Sequence, residues 1–114
     1  MPPKHNPLKL NPLQLRTLTL LQALAAIPGA GQGRPNGEVA IVQFPNAHGD
    51  HFHLGDAVVA GKDATGLTNE AVWNALTRKG LARAEYPREM VLTAAGLAYD
   101  TGLAGEVLQK GAGH

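Results

Sequence analysis

Apolar and polar positions recur on different periods in different stretches of this chain, and the changes of period divide it into elements. Leu13, Leu15, Leu18, Leu20, Leu21, Leu24 and Ile27 keep helical spacing over residues 11–27 and are apolar around more than one stripe. Asn11 reads as the N-cap, Pro12 as the first helical residue and Gln14 as the second half of a capping box. Leu10 and Leu15 are placed to meet as a hydrophobic staple, and Pro28-Gly29 ends the helix. A helix so rich in leucine is expected either at the centre of the core or shared with a second subunit, and a homodimer is the expectation.

Residues 28–37 are rich in glycine and proline and read as loop. Glu38 to Phe44 carries Val39, Ile41 and Val42 and reads as a strand, residues 45–50 as a turn, and His51 to Leu54 as a returning strand. Residues 38–54 are thus expected to be a β-hairpin. Asp56 to Thr65 either continues the strand through Val58-Val59 or forms a short helix ended by Gly66; the short helix is preferred.

The next segment has clear helix syntax. Thr68 is placed as a cap, Glu70 lies in the positively polarised first turn, and Leu67 can staple to Val72. Val72, Ala75 and Leu76 share a face, Arg78-Lys79 suit the C-terminal end, and Gly80-Leu81 reads as a glycine C-cap with its apolar contact. Leu81 to Ala84 and Glu89 to Leu92 flank Tyr86-Pro87-Arg88 as a second hairpin. Thr93 caps a helix from Ala94 to Asp100, and Leu103 to Lys110 forms another.

With 114 residues, the chain has room for one domain with an ordinary core. Apolar residues make up 44% and charged residues 17%, which excludes a disordered chain. No cysteine and no serine are present, so disulfides, thiolate metal sites and cysteine or serine nucleophiles are excluded. The acids are scattered, with no pair placed for acid–base work. The run Gly55 to Gly61-Lys62 is one residue too long for a phosphate-binding loop and is followed by Asp63 instead of Ser or Thr. Gly29, Gly31 and Gly33 follow a helix, where a dinucleotide fingerprint needs a strand. An enzyme is not expected. No apolar run approaches the length of a membrane span, so a cytoplasmic protein without membrane contact is expected.

The net charge of +1 hides an uneven distribution. Lys4, Lys9, Arg16 and Arg34 are unopposed in residues 1–37, whereas Glu38, Asp50, Asp56 and Asp63 face only Lys62 in residues 38–63. Arg78, Lys79, Arg83 and Arg88 then oppose Glu85 alone, a modest basic footprint on a helix end and hairpin.

Two stretches resemble the winged helix-turn-helix superfamily. Gly66-Leu67-Thr68-Asn69-Glu70-Ala71-Val72 looks like the turn and opening of a recognition helix. Ala75 to Ala82, followed by Leu92-Thr93-Ala94-Ala95-Gly96, resembles the helix end, wing and "LTxxG" helix start of multiple-antibiotic-resistance-type bacterial regulators. The resemblance covers residues 54–100. It implies an α+β winged-helix domain: N-terminal arm 1–10, long helix 11–27, loop 28–37, hairpin 38–54, helix-turn-helix 55–80, wing 81–92 and C-terminal helices 93–110. It further implies double-stranded DNA as partner and transcriptional regulation as function, with a winged-helix protein-interaction module as the alternative.

Under that resemblance Thr68 and Asn69 open the recognition helix. With Val72 inward, steps of 100° turn Glu70, Asn74 and Thr77 outward, with Trp73 and Arg78 flanking. Asn can read adenine, Arg guanine, and Thr a thymine methyl or a phosphate. Lys79, Arg83 and Arg88 would reach phosphates. Trp73 is expected to pack rather than to stack on a base.

His48, His51 and His53 form a separate cluster, with Asp50 and Asp56 nearby. Residues two apart on a strand share a face, so His51 and His53 can converge on one Zn²⁺ or Ni²⁺ with His48 closing in from the turn. A metal-binding module is the third reading.

Overall fold

The computed structural model describes residues 6–44, 51–55 and 57–110. Among these residues the fold is α+β, with the elements α1 (Pro12–Ala25), β1 (Gly31–Gly33), β2 (Val39–Ile41), β3 (His51–Leu54), β4 (Ala57–Ala60), α2 (Glu70–Arg78), β5 (Ala82–Glu85), β6 (Glu89–Leu92), α3 (Ala94–Ala98), α4 (Ala104–Val107) and β7 (Gln109–Lys110). One antiparallel sheet runs β1-β2-β6-β5 and a second runs β3-β4-β7.

The start of α1 is built as its sequence requires. Asn11 Oδ1 accepts from the Gln14 amide at 2.8 Å, and Gln14 Oε1 accepts from the Asn11 amide at 3.0 Å, so two of the helix's orphan donors are satisfied. The helix packs against β2 and β6 on one side and against α2, α3 and α4 on others. This central position explains the surplus of leucine: Leu15, Leu18, Leu20, Leu21 and Leu24 are all buried within the one chain. A second subunit is not needed to cover them. Two threonines are buried on the same helix with their hydroxyls satisfied. Thr17 Oγ1 donates to Leu13 O at 2.8 Å, and Thr19 Oγ1 lies 2.8 Å from Leu15 O and 2.6 Å from Thr101 Oγ1.

The strands pair differently from the expected 38–54 hairpin. Asn36-Gly37, both at positive φ, form a tight turn that folds β1 back onto β2 inside the stretch read as loop. Consequently β2 lies between β1 and β6, while β3 pairs with β4 across the turn at Gly55, whose φ is +58°. Among the described residues the expected helix over residues 56–65 is not formed: Ala57–Ala60 is strand, followed by 3₁₀ turns at Gly61–Asp63 and Thr65–Thr68. Val58 and Val59 favour a strand, and β3 supplies a partner edge, so packing outweighs a weak helix signal. The second turn sits directly on α1, since a Cβ at Gly66 would fall 1.7 Å from Thr17 Oγ1.

The join between α2 and the β5–β6 hairpin is the most tightly specified part. Gly80, at φ +77°, closes α2 with Leu81 N donating to Leu76 O at 3.0 Å and Gly80 N to Thr77 O at 3.1 Å. Thr93 Oγ1 accepts from Gly96 N at 3.1 Å, capping α3, and donates to Gly80 O at 2.7 Å. The Thr93 amide donates to Leu81 O at 3.2 Å. The Leu-Thr-x-x-Gly pattern therefore ties the end of α2, the base of the hairpin and the start of α3 together. No described helix is long and apolar enough to cross a membrane.

Candidate nucleic-acid interface

The site is assembled on α2 and the β5–β6 hairpin. Val72, Trp73, Ala75 and Leu76 point into the core, leaving Glu70, Ala71, Asn74, Thr77 and Arg78 outward. The N-cap is Asn69 rather than Thr68, because the 3₁₀ turn continues through Thr68: Asn69 Oδ1 accepts from the Ala71 and Val72 amides at 3.0 and 3.4 Å. Its carbonyl oxygen is thereby committed to the helix. The Thr68 hydroxyl is exposed and donates to Thr65 O at 3.4 Å, while its main-chain oxygen accepts from the Tyr86 hydroxyl at 2.8 Å. That last bond fastens the hairpin tip to the start of α2.

Asn74, Thr77 and Arg78 lie one turn apart on the exposed face. Thr77 Oγ1 donates to Trp73 O at 3.0 Å. Arg78 has neither a hydrogen bond nor an ion pair among the described residues.

The other three cations are engaged within the chain. Lys79 Nζ donates to Leu8 O at 2.9 Å, which fastens the N-terminal arm to the end of α2. Arg88 pairs with Glu85 at 3.0 Å at the hairpin tip, with both side chains exposed. Arg83 does not share the α2 face. Alternation along β5 turns Ala82 and Ala84 to the core and Arg83 and Glu85 away from it. From there Arg83 reaches past β6 and donates to both Glu38 carboxylate oxygens, Nε at 3.0 Å. This bidentate bond holds the Glu38 carboxyl below the usual glutamate range and raises the Arg83 guanidinium further. The sequence treated Arg83 as a companion of Arg78; the pleat separates them.

Trp73 is 2% exposed and packs inward, as its expected packing role requires, although it does not flank the outer face as the helical steps placed it. It stacks on Phe44 with ring centroids 5.7 Å apart and meets Tyr86 edge-on at 4.9 Å. These rings, with Phe52, Leu67 and Thr68, line a cleft of about 470 Å³ beside the start of α2. The Trp73 indole N–H is buried without a hydrogen-bond partner among the described residues. Nothing in the sequence pointed to this cleft, because its walls come from four separate segments.

Of the histidine cluster, His48 lies outside the described residues. His51 and His53 share one face of β3, as their spacing required, with Nε2 atoms 3.1 Å apart. No group of three or more metal-ligating residues occurs among the described residues. Compared with known proteins, the chain matches no family model, no curated protein and no solved structure.

Proposed function

We propose that this chain is a winged-helix DNA-binding module acting in transcriptional regulation, with the outer face of α2 entering the major groove. What supports this reading is α2 leading directly into a hairpin whose β6 lies between β5 and β2, after a long first helix, four strands and two 3₁₀ turns. On this reading the 3₁₀ turns Gly61–Asp63 and Thr65–Thr68 stand in for the first helix of a helix-turn-helix, which is not formed among the described residues. The observation that carries the proposal is the exposed trio Asn74, Thr77 and Arg78, with Arg78 unpaired among the described residues beside a hairpin fastened to the same helix. Each well-placed bidentate base contact discriminates by about 1–3 kcal/mol. Arg88 adds a phosphate contact from the tip, since an exposed ion pair is worth only about 0–1 kcal/mol and exchanges readily.

Selection from a randomised duplex pool tests the reading. An enriched site is expected for the unaltered chain, with Asn74→Ala changing the preference at one base pair. A pool without enrichment would overturn it. A protein-interaction module is the second reading, favoured by the internal engagement of Lys79 and Arg83, which leaves few cations for phosphates.

A further inference from the structure

We infer that the cleft beside the start of α2 is a binding site for a small, neutral, planar aromatic molecule that carries a carbonyl or ring-nitrogen acceptor. The inference does not rest on DNA binding. The chain has two Phe, one Trp and two Tyr, and four of these five residues line the cleft. Phe44 comes from beyond β2, Phe52 from β3, Trp73 from α2 and Tyr86 from the hairpin tip. Phe44 lies nearly parallel to Trp73, at 20°, and Tyr86 stands nearly perpendicular to it, at 83°. The walls thus offer a ligand both ring faces and ring edges, the two arrangements that aromatic pairs prefer. Well-packed interiors leave few voids larger than a water molecule. This cleft, at about 470 Å³, instead falls within the range of about 300–1,000 Å³ typical of small-molecule sites.

The polar groups of the lining fix the ligand's charge and the position of its acceptor. No Lys, Arg, His, Asp or Glu occurs among the described residues of the lining, so an ionised ligand loses hydration there without gaining a counter-charge. The polar side chains at the rim are hydroxyls. Thr65 and Thr68 stand three residues apart on one 3₁₀ turn, a spacing at which side chains eclipse. Both are exposed, which opens this side of the cleft to solvent. The Thr65 hydroxyl makes no hydrogen bond among the described residues, and the Thr68 hydroxyl holds Thr65 O only at 3.4 Å. Either can turn to a ligand's polar edge without breaking a strong bond. Trp73 supplies a further donor, because its buried indole N–H has no acceptor among the described residues. A ligand carbonyl that reaches the edge of that ring satisfies it.

Titration of the ¹⁵N-labelled full chain with isoquinolone, a neutral bicyclic lactam, and separately with naphthoate, a carboxylate of the same ring size, tests the proposal by NMR. Trp73 is the one tryptophan of the chain, so its indole N–H gives a single resonance. Isoquinolone should shift that resonance saturably at one ligand per chain, and naphthoate should bind several-fold more weakly. Thr65→Phe, which fills the rim from an exposed position, should abolish the isoquinolone shift. Thr68→Val, an exposed and isosteric change, guards against misfolding and should weaken binding with an unaltered far-UV circular dichroism spectrum. Absence of a saturable shift with isoquinolone, equal or tighter binding of naphthoate, or binding that both variants leave unchanged overturns the site. None of these outcomes bears on DNA binding through α2.

Discussion

A single methyl group at Gly96 should reverse the usual sign of a glycine-to-alanine change in a helix. Gly96 lies within α3, at ordinary helical φ, where alanine would normally stabilise by about 1 kcal/mol. Its Cβ, however, would fall 1.9 Å from Leu81 O and 2.9 Å from Leu81 C. These are backbone atoms, so no side-chain rotation relieves the overlap. To reach ordinary contact, α3 must move by more than 1 Å, roughly the difference between 1.9 Å and a 3.3 Å carbon–oxygen contact. That movement strains the Thr93 amide bond to Leu81 O and the bonds from Gln22 Nε2 to Gly96 O and Tyr99 O, both 2.8 Å. Overpacking costs about 1–3 kcal/mol and each weakened bond up to about 1 kcal/mol. After the helical gain is subtracted, Gly96→Ala should destabilise by about 2–4 kcal/mol. For a domain of this size the melting temperature should fall by roughly 8–20 °C. Gly105→Ala is the matched control, because it lies in α4 with nothing within 4 Å of the added carbon. Thermal melts followed by circular dichroism should show Gly105→Ala at or above the parent value. An unchanged or raised melting temperature for Gly96→Ala would refute the close approach of α3 to Leu81.

Leu20→Ala, at a fully buried position, should cost about 2–5 kcal/mol in a denaturant titration without changing the mass measured by light scattering. A dissociation on substitution would show that α1 also packs on a second subunit. The Glu38 carboxyl is held below its ordinary range by Arg83, so its contribution is present above the ordinary glutamate pKa and lost as pH falls through the lowered value. The melting-temperature gap between the parent and Glu38→Gln should be largest at neutral pH and close below about pH 4. A gap that widens in acid would contradict the assignment.

The sequence was most legible where a local rule and the fold agree. The α1 capping box, the Gly80 C-cap and the Thr93 cap all follow from residue type at fixed spacing. The hairpin over residues 81–92 was equally plain, with Tyr86-Pro87-Arg88 between two short strands. The strand pairing departs from the expected hairpin because two turns redirect the chain. Asn36-Gly37 is a strong short-hairpin dipeptide, and the turn at Gly55 joins β3 to β4. The first makes Gly31–Gly33 a strand, and the second sets Val58-Val59 on a strand paired with β3. The leucine excess was ambiguous for a different reason: periodicity reports that a helix is covered, not what covers it.

The candidate site was legible only where it lies on one element. Asn74 and Thr77 are outward on α2 as helical steps require, Arg78, expected to flank them, is exposed beside them, and His51 and His53 share a strand face. Trp73 was harder, because the rings of Phe44 and Tyr86 widen the buried arc of α2 beyond the Val72–Leu76 stripe. The ties of Lys79 to Leu8 and of Arg83 to Glu38 join residues 71 and 45 positions apart, so no local pattern could reveal them.

The salt dependence of duplex binding tests the α2 interface most directly. Fluorescence anisotropy with an enriched duplex, between 50 and about 200 mM monovalent salt, should give affinity falling log-linearly with salt concentration. Replacing an arginine that contacts phosphate flattens that slope by about one unit, whereas replacing a base-reading arginine lowers affinity and relaxes specificity. Arg88→Ala should therefore flatten the slope and Arg78→Ala should weaken the preferred duplex most. Arg83→Ala should change neither, because Arg83 lies on the far face of the sheet, bound to Glu38. No measurable binding even at the lowest salt, or equal losses from Arg83→Ala and Arg78→Ala, would contradict the α2 interface.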